Sequence, residues 1–133
     1  MGFVPLSPIV SKVFMANIKQ SLDELMTADG ALCAAIVDSS SGMMLGAAGG
    51  GVDLEVAAAG NSEVVRSKMK VMRQLGLNDV IEDILITLGK HYHIIRPSAR
   101  KEGVFLYFVL DRAKSNLALA RRKTQDVDKE LSI

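Results

Sequence analysis

Apolar side chains occupy both faces of a segment that predicts three consecutive β-strands, at positions 80–88, 91–96 and 104–111. Residues two apart in a strand share a face, so Ile84 and Leu85 lie on opposite sides. A sheet with one face in water shows a cleaner alternation of apolar and polar residues. We therefore predict a sheet that is covered by helices on both faces.

Apolar residues that recur every three or four positions predict three helices around these strands. The first begins at Pro8 and ends near Gly30. The second is the longest, with Asp53 as its N-cap and Gly76 at its end. The third covers about positions 112–130. These helices supply the apolar surfaces that the sheet requires on its two faces.

Two short strands at positions 31–38 and 43–48 flank a turn, and both consist mainly of small residues. Small residues leave room above a sheet, so we expect a large helix to pack closely on this hairpin. The predicted order is helix, two strands, helix, three strands, helix. It indicates an α/β (α+β) domain of three layers, in which five antiparallel strands carry one helix on one face and two on the other.

The length and composition limit the classes of protein to which the chain belongs. Its 133 residues suit one domain, which we place at residues 8–133 after a flexible leader at residues 1–7. The single cysteine, Cys33, excludes an internal disulfide bond. A net charge of +1 argues against a nucleic-acid binder, and no apolar run is long enough for membrane insertion. We expect a soluble, cytoplasmic protein.

Three stretches carry a resemblance to a known family: ALCAAIVDSSSG, ITLGKHYHIIRP and FLYFVLDRAKSNLALAR. Together with the order of elements, they make the chain similar to the roadblock or dynein-light-chain family of small profilin-like domains. Bacterial members of that family include regulators of Ras-like GTPases. The resemblance implies a profilin-like fold and a non-enzymatic homodimeric adaptor, which binds a small Ras-like GTPase and modulates its nucleotide cycle or its location.

The resemblance also implies how two copies of the chain associate. The edge strand predicted at positions 80–88 would pair with its copy, so that the two long helices lie side by side. The residues support this independently, because a long, apolar and unpaired edge invites association. The predicted residues of the dimer interface are Val80, Ile81, Ile84, Ile86 and Leu88.

Arg66, Lys70 and Arg73 form a basic stripe on the outer side of the long helix. A charged stripe of this kind is commonly no more than a solvated face. Two long helices side by side would double the stripe into a broad platform. With the family resemblance, we therefore predict that these three residues bind the partner.

Few residues offer catalytic chemistry, and each of them has a structural alternative. The chain contains no G-x-x-x-x-G-K-[ST] phosphate-binding motif, so we do not expect it to be a GTPase itself. His91 and His93 share a strand face and are candidate metal ligands without a third one nearby. Cys33 lies in an apolar run, and Asp38 and Asp111 suit turns and caps. We predict no catalytic residue, no cofactor and no enzymatic activity.

Three other functions stay open at this point. A small-molecule sensor of profilin-like fold predicts an apolar cavity between the sheet and a helix, with a few converging polar groups. A structural subunit of a larger assembly is compatible with the same surface features. An enzyme would have to use His91, His93 or Cys33.

Overall fold

The computed structural model of the protein describes the backbone of residues 8–132 and the side chains of residues 17–132. The leader predicted at residues 1–7 lies outside the described residues. The elements in chain order are α1 (Pro8–Leu25), β1 (Ala31–Asp38), β2 (Met43–Gly49), α2 (Leu54–Gln74), β3 (Ile84–Thr87), β4 (His91–Pro97), β5 (Val104–Asp111) and α3 (Leu117–Glu130). The predicted order of helices and strands is confirmed.

The five strands form one sheet in the order β2-β1-β5-β4-β3, and every neighbouring pair is antiparallel. β5 is the central strand, and its residues 104–110 are all buried because both faces of the sheet are covered. β2 and β3 are the two edges. The predicted five-stranded antiparallel sheet is therefore confirmed, with β3 on an edge as expected.

The alternation of side chains along the strands builds a separate core on each face of the sheet. On one face, α1 and α3 pack against buried residues that include Ile36 and Phe108. On the other face, α2 packs against Val37, Phe105 and Tyr107. The predicted three layers are confirmed. Truncating Phe108 to alanine would lower the free energy of unfolding by about 3–5 kcal/mol, because it leaves a cavity in the core.

Small residues let helices approach the β1–β2 hairpin closely, and two helices do so where the sequence predicted one large helix. A Cβ atom added at Gly46 would lie 2.5 Å from Cγ2 of Ile18 on α1, which is too close for any side chain larger than hydrogen. A Cβ atom added at Gly42 would lie 3.4 Å from Cα of Ala59 on α2. The hairpin is thus held between helices on both of its faces.

The strand predicted at positions 80–88 is shorter in the structure, because β3 covers only Ile84–Thr87. Val80 and Ile81 lie before the strand, and Leu88 lies beyond its end. The predicted boundaries were therefore wrong at both ends, although the edge position was right. The free backbone edge that β3 offers is half as long as the sequence indicated.

Side chains, rather than a backbone ladder, fix the segment that leads into β3. Arg121 of α3 binds the carboxylate of Asp83 through two hydrogen bonds of 2.8 and 2.9 Å. Arg96 of β4 donates from Nη1 to the carbonyl oxygen of Glu82 at 3.0 Å. These side-chain bonds anchor the residues just before β3, and backbone pairing with β4 begins at Ile84.

The last helix begins later than the predicted position 112. Asn116 is its N-cap, and its Oδ1 accepts a hydrogen bond of 3.1 Å from the amide of Leu119. The amide of Arg112 instead donates to the carbonyl oxygen of Lys90 at 2.9 Å. This bond to the β3–β4 turn holds the end of β5 extended, so the helix cannot begin there.

Candidate dimer and partner interface

α2 is fixed at both ends by capping groups. Oδ1 of Asp53 accepts a hydrogen bond of 3.2 Å from the amide of Val56, which confirms the predicted N-cap. Gly76 turns the chain away with φ of 68°, and its amide donates to the carbonyl oxygen of Arg73 at 3.0 Å. The buried residues of α2 are Ala58, Ser62 and Val65. This narrow buried stripe leaves two flanks of a rigid helix facing outward.

One flank of α2, which we call the apolar flank, carries Gly60, Val64 and Val71. Val64 and Val71 lie two helical turns apart, and their side chains are 41% and 40% exposed. Between this flank and Ile84 of β3 runs a groove of about 460 Å³. The groove is lined by Gly60, Glu63, Val64, Ser67, Lys68, Val71 and Ile84. The helix flank and the edge strand therefore form one continuous, largely apolar surface.

The predicted dimer residues only partly coincide with this surface. Ile84 and Ile86 lie in β3 and pack beneath α2, whereas Val80 and Leu88 lie outside the strand and are 78% and 43% exposed. The prediction placed the two long helices side by side in the dimer, but it named no residue of α2 in the interface. The signal was present, because Val64 and Val71 recur at helical spacing on the side away from the core.

The other flank of α2, which we call the basic flank, carries Arg66, Lys70 and Arg73. All three side chains are exposed and lie on one side of the helix, as their spacing predicted. Nη1 of Arg66 donates a hydrogen bond to the carbonyl oxygen of Ser39 at the end of β1. The basic flank therefore faces the β1–β2 turn, on the opposite side of α2 from β3.

A cleft of about 360 Å³ separates the basic flank from the loop between β4 and β5. Arg66 and Arg73 face it, whereas Lys70 is not among its lining residues. The cleft is lined by Ser39, Val65, Arg66, Met69, Arg73, Pro97, Ser98, Glu102, Gly103 and Val104. The structure thus brings the basic stripe together with a second element that sequence reasoning did not connect to it.

No protein-family model matches the chain, and none of the curated proteins matches it. Several solved structures are similar to this chain in fold, at low sequence identity. MglB from Myxococcus xanthus aligns with a TM-score of 0.79 at 18% identity, over 97% of this chain and 91% of that chain. The roadblock/LC7 domain from Streptomyces avermitilis aligns with a TM-score of 0.72 at 13% identity, over 84% of this chain and 92% of that chain.

The chain has the roadblock fold. A further structure, of MglB with a tetrameric arrangement, aligns with a TM-score of 0.74 at 15% identity, over 98% of this chain and 92% of that chain. The fold implied by the resemblance is therefore confirmed over 84% or more of this chain in these three alignments.

The two histidines of the chain lie beside the core rather than in an open site. Nδ1 of His93 is 2.9 Å from the Tyr107 hydroxyl, and the rings of His91 and His93 stack with centroids 5.8 Å apart. Burial lowers the pKa of His93, as does the neighbouring His91, and burial raises the pKa of Tyr107 to about 12. In the described part of the chain, no cluster of three metal-ligating side chains includes these histidines.

The other candidate groups of the chain have structural roles. Burial raises the pKa of the Cys33 thiol, which disfavours the nucleophilic thiolate. The carboxylate of Asp38 accepts three hydrogen bonds from Ser40 and Ser41, and these bonds lower its pKa. Oδ1 of Asp111 accepts a hydrogen bond of 2.9 Å from the amide of Ala113. Both aspartates therefore organise turns, as the sequence indicated.

Among residues 8–132, none of the helices combines the length and the apolar content that a bilayer crossing needs. The helices that are described carry polar or charged residues on the sides that face away from the sheet.

Proposed function

We propose that the protein is a non-enzymatic homodimeric adaptor that binds a small Ras-like GTPase and modulates its nucleotide cycle or its location. The observation that carries this proposal is the continuous surface of edge strand β3 and the apolar flank of α2, on a roadblock fold. The proposed partner class, a small Ras-like GTPase, comes from the resemblance to a family whose bacterial members include GTPase regulators.

The dimer would form where an unpaired backbone edge adjoins exposed valines. Within residues 8–132, β3 pairs only with β4, so in this part of the chain its outer backbone groups are free to pair with a second copy. Val64 and Val71 lie beside this edge, so that pairing of β3 with its copy would also cover them. A two-fold interface uses the same patch on both chains, which an apolar patch tolerates well.

The basic flank would then serve the partner. Because it lies on the side of α2 away from β3, two copies joined through β3 carry their basic flanks on the outer sides of the dimer. This arrangement revises the expectation that the two stripes merge into one platform. Each dimer would instead present two separate basic surfaces, each built around Arg66, Lys70 and Arg73.

The alternative function of a small-molecule sensor predicts a cavity enclosed between sheet and helix. The space beside α2 that comes nearest to it is the 360 Å³ cleft, and its lining includes the exposed side chains of Arg73 and Glu102. A charged, open rim suits recognition of a macromolecule better than enclosure of an apolar ligand. The structure of the cleft therefore favours the adaptor.

Two measurements test the proposal. Sedimentation equilibrium should give twice the mass of the chain at micromolar concentration. Affinity capture from a lysate of the native cells, supplemented with either GTP or GDP, should retain one Ras-like GTPase preferentially in one nucleotide state. A monomer at all concentrations, or capture without any guanine-nucleotide-binding protein, would overturn the proposed function.

A further inference from the structure

We propose that the cleft between α2 and the β4–β5 loop binds an extended acidic peptide segment that carries one apolar side chain. This inference rests on the proposed function, which it deepens by naming the chemistry of the segment that a partner would insert. It assigns the recognition to two elements, the basic flank and the loop, rather than to α2 alone.

The floor of the cleft is apolar and already well packed. Val65 and Val104 are 5% and 7% exposed, and Met69 lies partly buried beside them. Pro97 completes this floor at the end of β4. A space of about 360 Å³ above such a floor admits one large apolar side chain, and it does not require the floor residues to move.

The wall that α2 supplies to the cleft is basic. Arg66 and Arg73 line one wall, and Glu102 is the one acidic residue in the lining. Across the cleft, Arg100 and Lys101 are exposed on the same loop that supplies Ser98 and Glu102 to the other wall. Arg66 and Arg73 in the lining, with Arg100 and Lys101 exposed beside it, outnumber the single acidic Glu102, so the cleft suits carboxylates on either side of an apolar anchor.

A buried carboxylate holds the loop in place. Asp128 of α3 is 1% exposed, and its carboxylate accepts hydrogen bonds from Oγ of Ser98 at 2.5 Å and from the amide of Ala99 at 2.9 Å. Oγ of Ser98 in turn accepts from the amides of Arg100 and Lys101, at 3.0 and 3.1 Å. The loop is thus ordered before any partner binds, which lowers the entropy cost of binding.

The same features argue against other anionic occupants. A bare phosphate would leave the apolar floor without a contact. Single-stranded nucleic acid is held by stacking on aromatic rings, and the described lining residues include no aromatic side chain. An extended peptide with acidic residues beside one apolar residue satisfies both the floor and the rim.

The test uses a display library of random twelve-residue peptides, selected on the wild-type protein. We expect the retained peptides to share an apolar residue flanked by Asp or Glu. We expect a synthetic copy of one retained peptide, measured by fluorescence anisotropy, to bind Arg73→Glu/Lys101→Glu at least tenfold more weakly. Its affinity for wild type should also fall as salt is raised.

The matched control reverses two exposed charges on α3, Arg122→Glu/Lys129→Glu, which lie across the sheet from the cleft. This variant has the same net charge as the test variant and should bind the peptide as wild type does. Retained peptides without acidic residues, no peptide retained, or equal weakening by both variants would overturn the inference. Capture of a GTPase is measured separately, so failure of the peptide site and failure of the proposed function give different results.

Discussion

The two flanks of α2 differ in what they can accept. The apolar flank adjoins an open strand edge and presents Val64 and Val71, so a second copy of itself is a compatible neighbour. The basic flank presents Arg66 and Arg73, so a second copy of itself would be repelled. One helix can therefore serve a self-complementary contact on one side and a contact with an unlike partner on the other, provided that its buried stripe is narrow.

The largest expected effect concerns the β4–β5 loop, which faces the basic flank across the cleft. Asp128→Asn removes the carboxylate that accepts from Ser98, Ala99 and Arg96, and breaking such a buried ion pair should cost about 3 kcal/mol of unfolding free energy. Urea denaturation measures the loss. The exposed Asp126→Asn on the same helix should cost less than about 0.5 kcal/mol. Equal losses would contradict the assignment of Asp128 as the anchor of the loop.

The second effect concerns the apolar flank. Val71→Glu should weaken the proposed dimer about a hundredfold, because a two-fold contact buries the new carboxylate twice, at about 1.5 kcal/mol each. Sedimentation equilibrium gives the dissociation constant. Val56→Glu introduces the same charge at a more exposed position of α2 that does not line the groove, and it should leave the dimer intact. A dimer that tolerates Val71→Glu would place self-association elsewhere.

The third effect concerns the basic flank. Arg73→Glu should weaken capture of the proposed GTPase about tenfold, which corresponds to about 1.4 kcal/mol, while the dimer mass stays unchanged. Arg73 suits this test better than Arg66, because Arg66 also bonds the backbone of Ser39 and its loss would disturb the fold. Arg122→Glu on α3 is the control. Loss of the dimer in Arg73→Glu would show that the flanks are not independent.

The smallest effect is a pH dependence of the unfolding free energy. It comes from His93 of β4, which pairs with Ile86 of β3. Burial and His91 lower the pKa of His93 below 6.5 in the folded protein, whereas the unfolded chain titrates near 6.5. As the pH falls below about 6.5, the unfolded state binds more protons than the folded state, so stability decreases. Urea denaturation at pH 7.5 and 5.5 should show the fall, and His93→Gln should reduce it. An equal fall in His93→Gln would assign it to other groups.

Much of the fold could be predicted because it follows from local patterns. The apolar alternation of β5, the small residues of the first hairpin and the caps Asp53 and Gly76 act within a few residues of the chain. The boundaries of β3 and α3 could not be predicted in this way. They depend on the distant bonds from Arg121 to Asp83 and from Arg112 to Lys90, whose partners lie far apart in the sequence.

The order of elements, the two-sided sheet and the basic stripe at helical spacing can be read from the amino-acid sequence, because each is a pattern that a single segment contains. Which surfaces meet depends on how the elements pack. This packing places Val64 and Val71 beside Ile84, and it sets the basic flank across a cleft from the β4–β5 loop. The reason is physical: the rotation of α2 above the sheet depends on how Ala58 and Val65 pack against the strands, and no local pattern contains that contact.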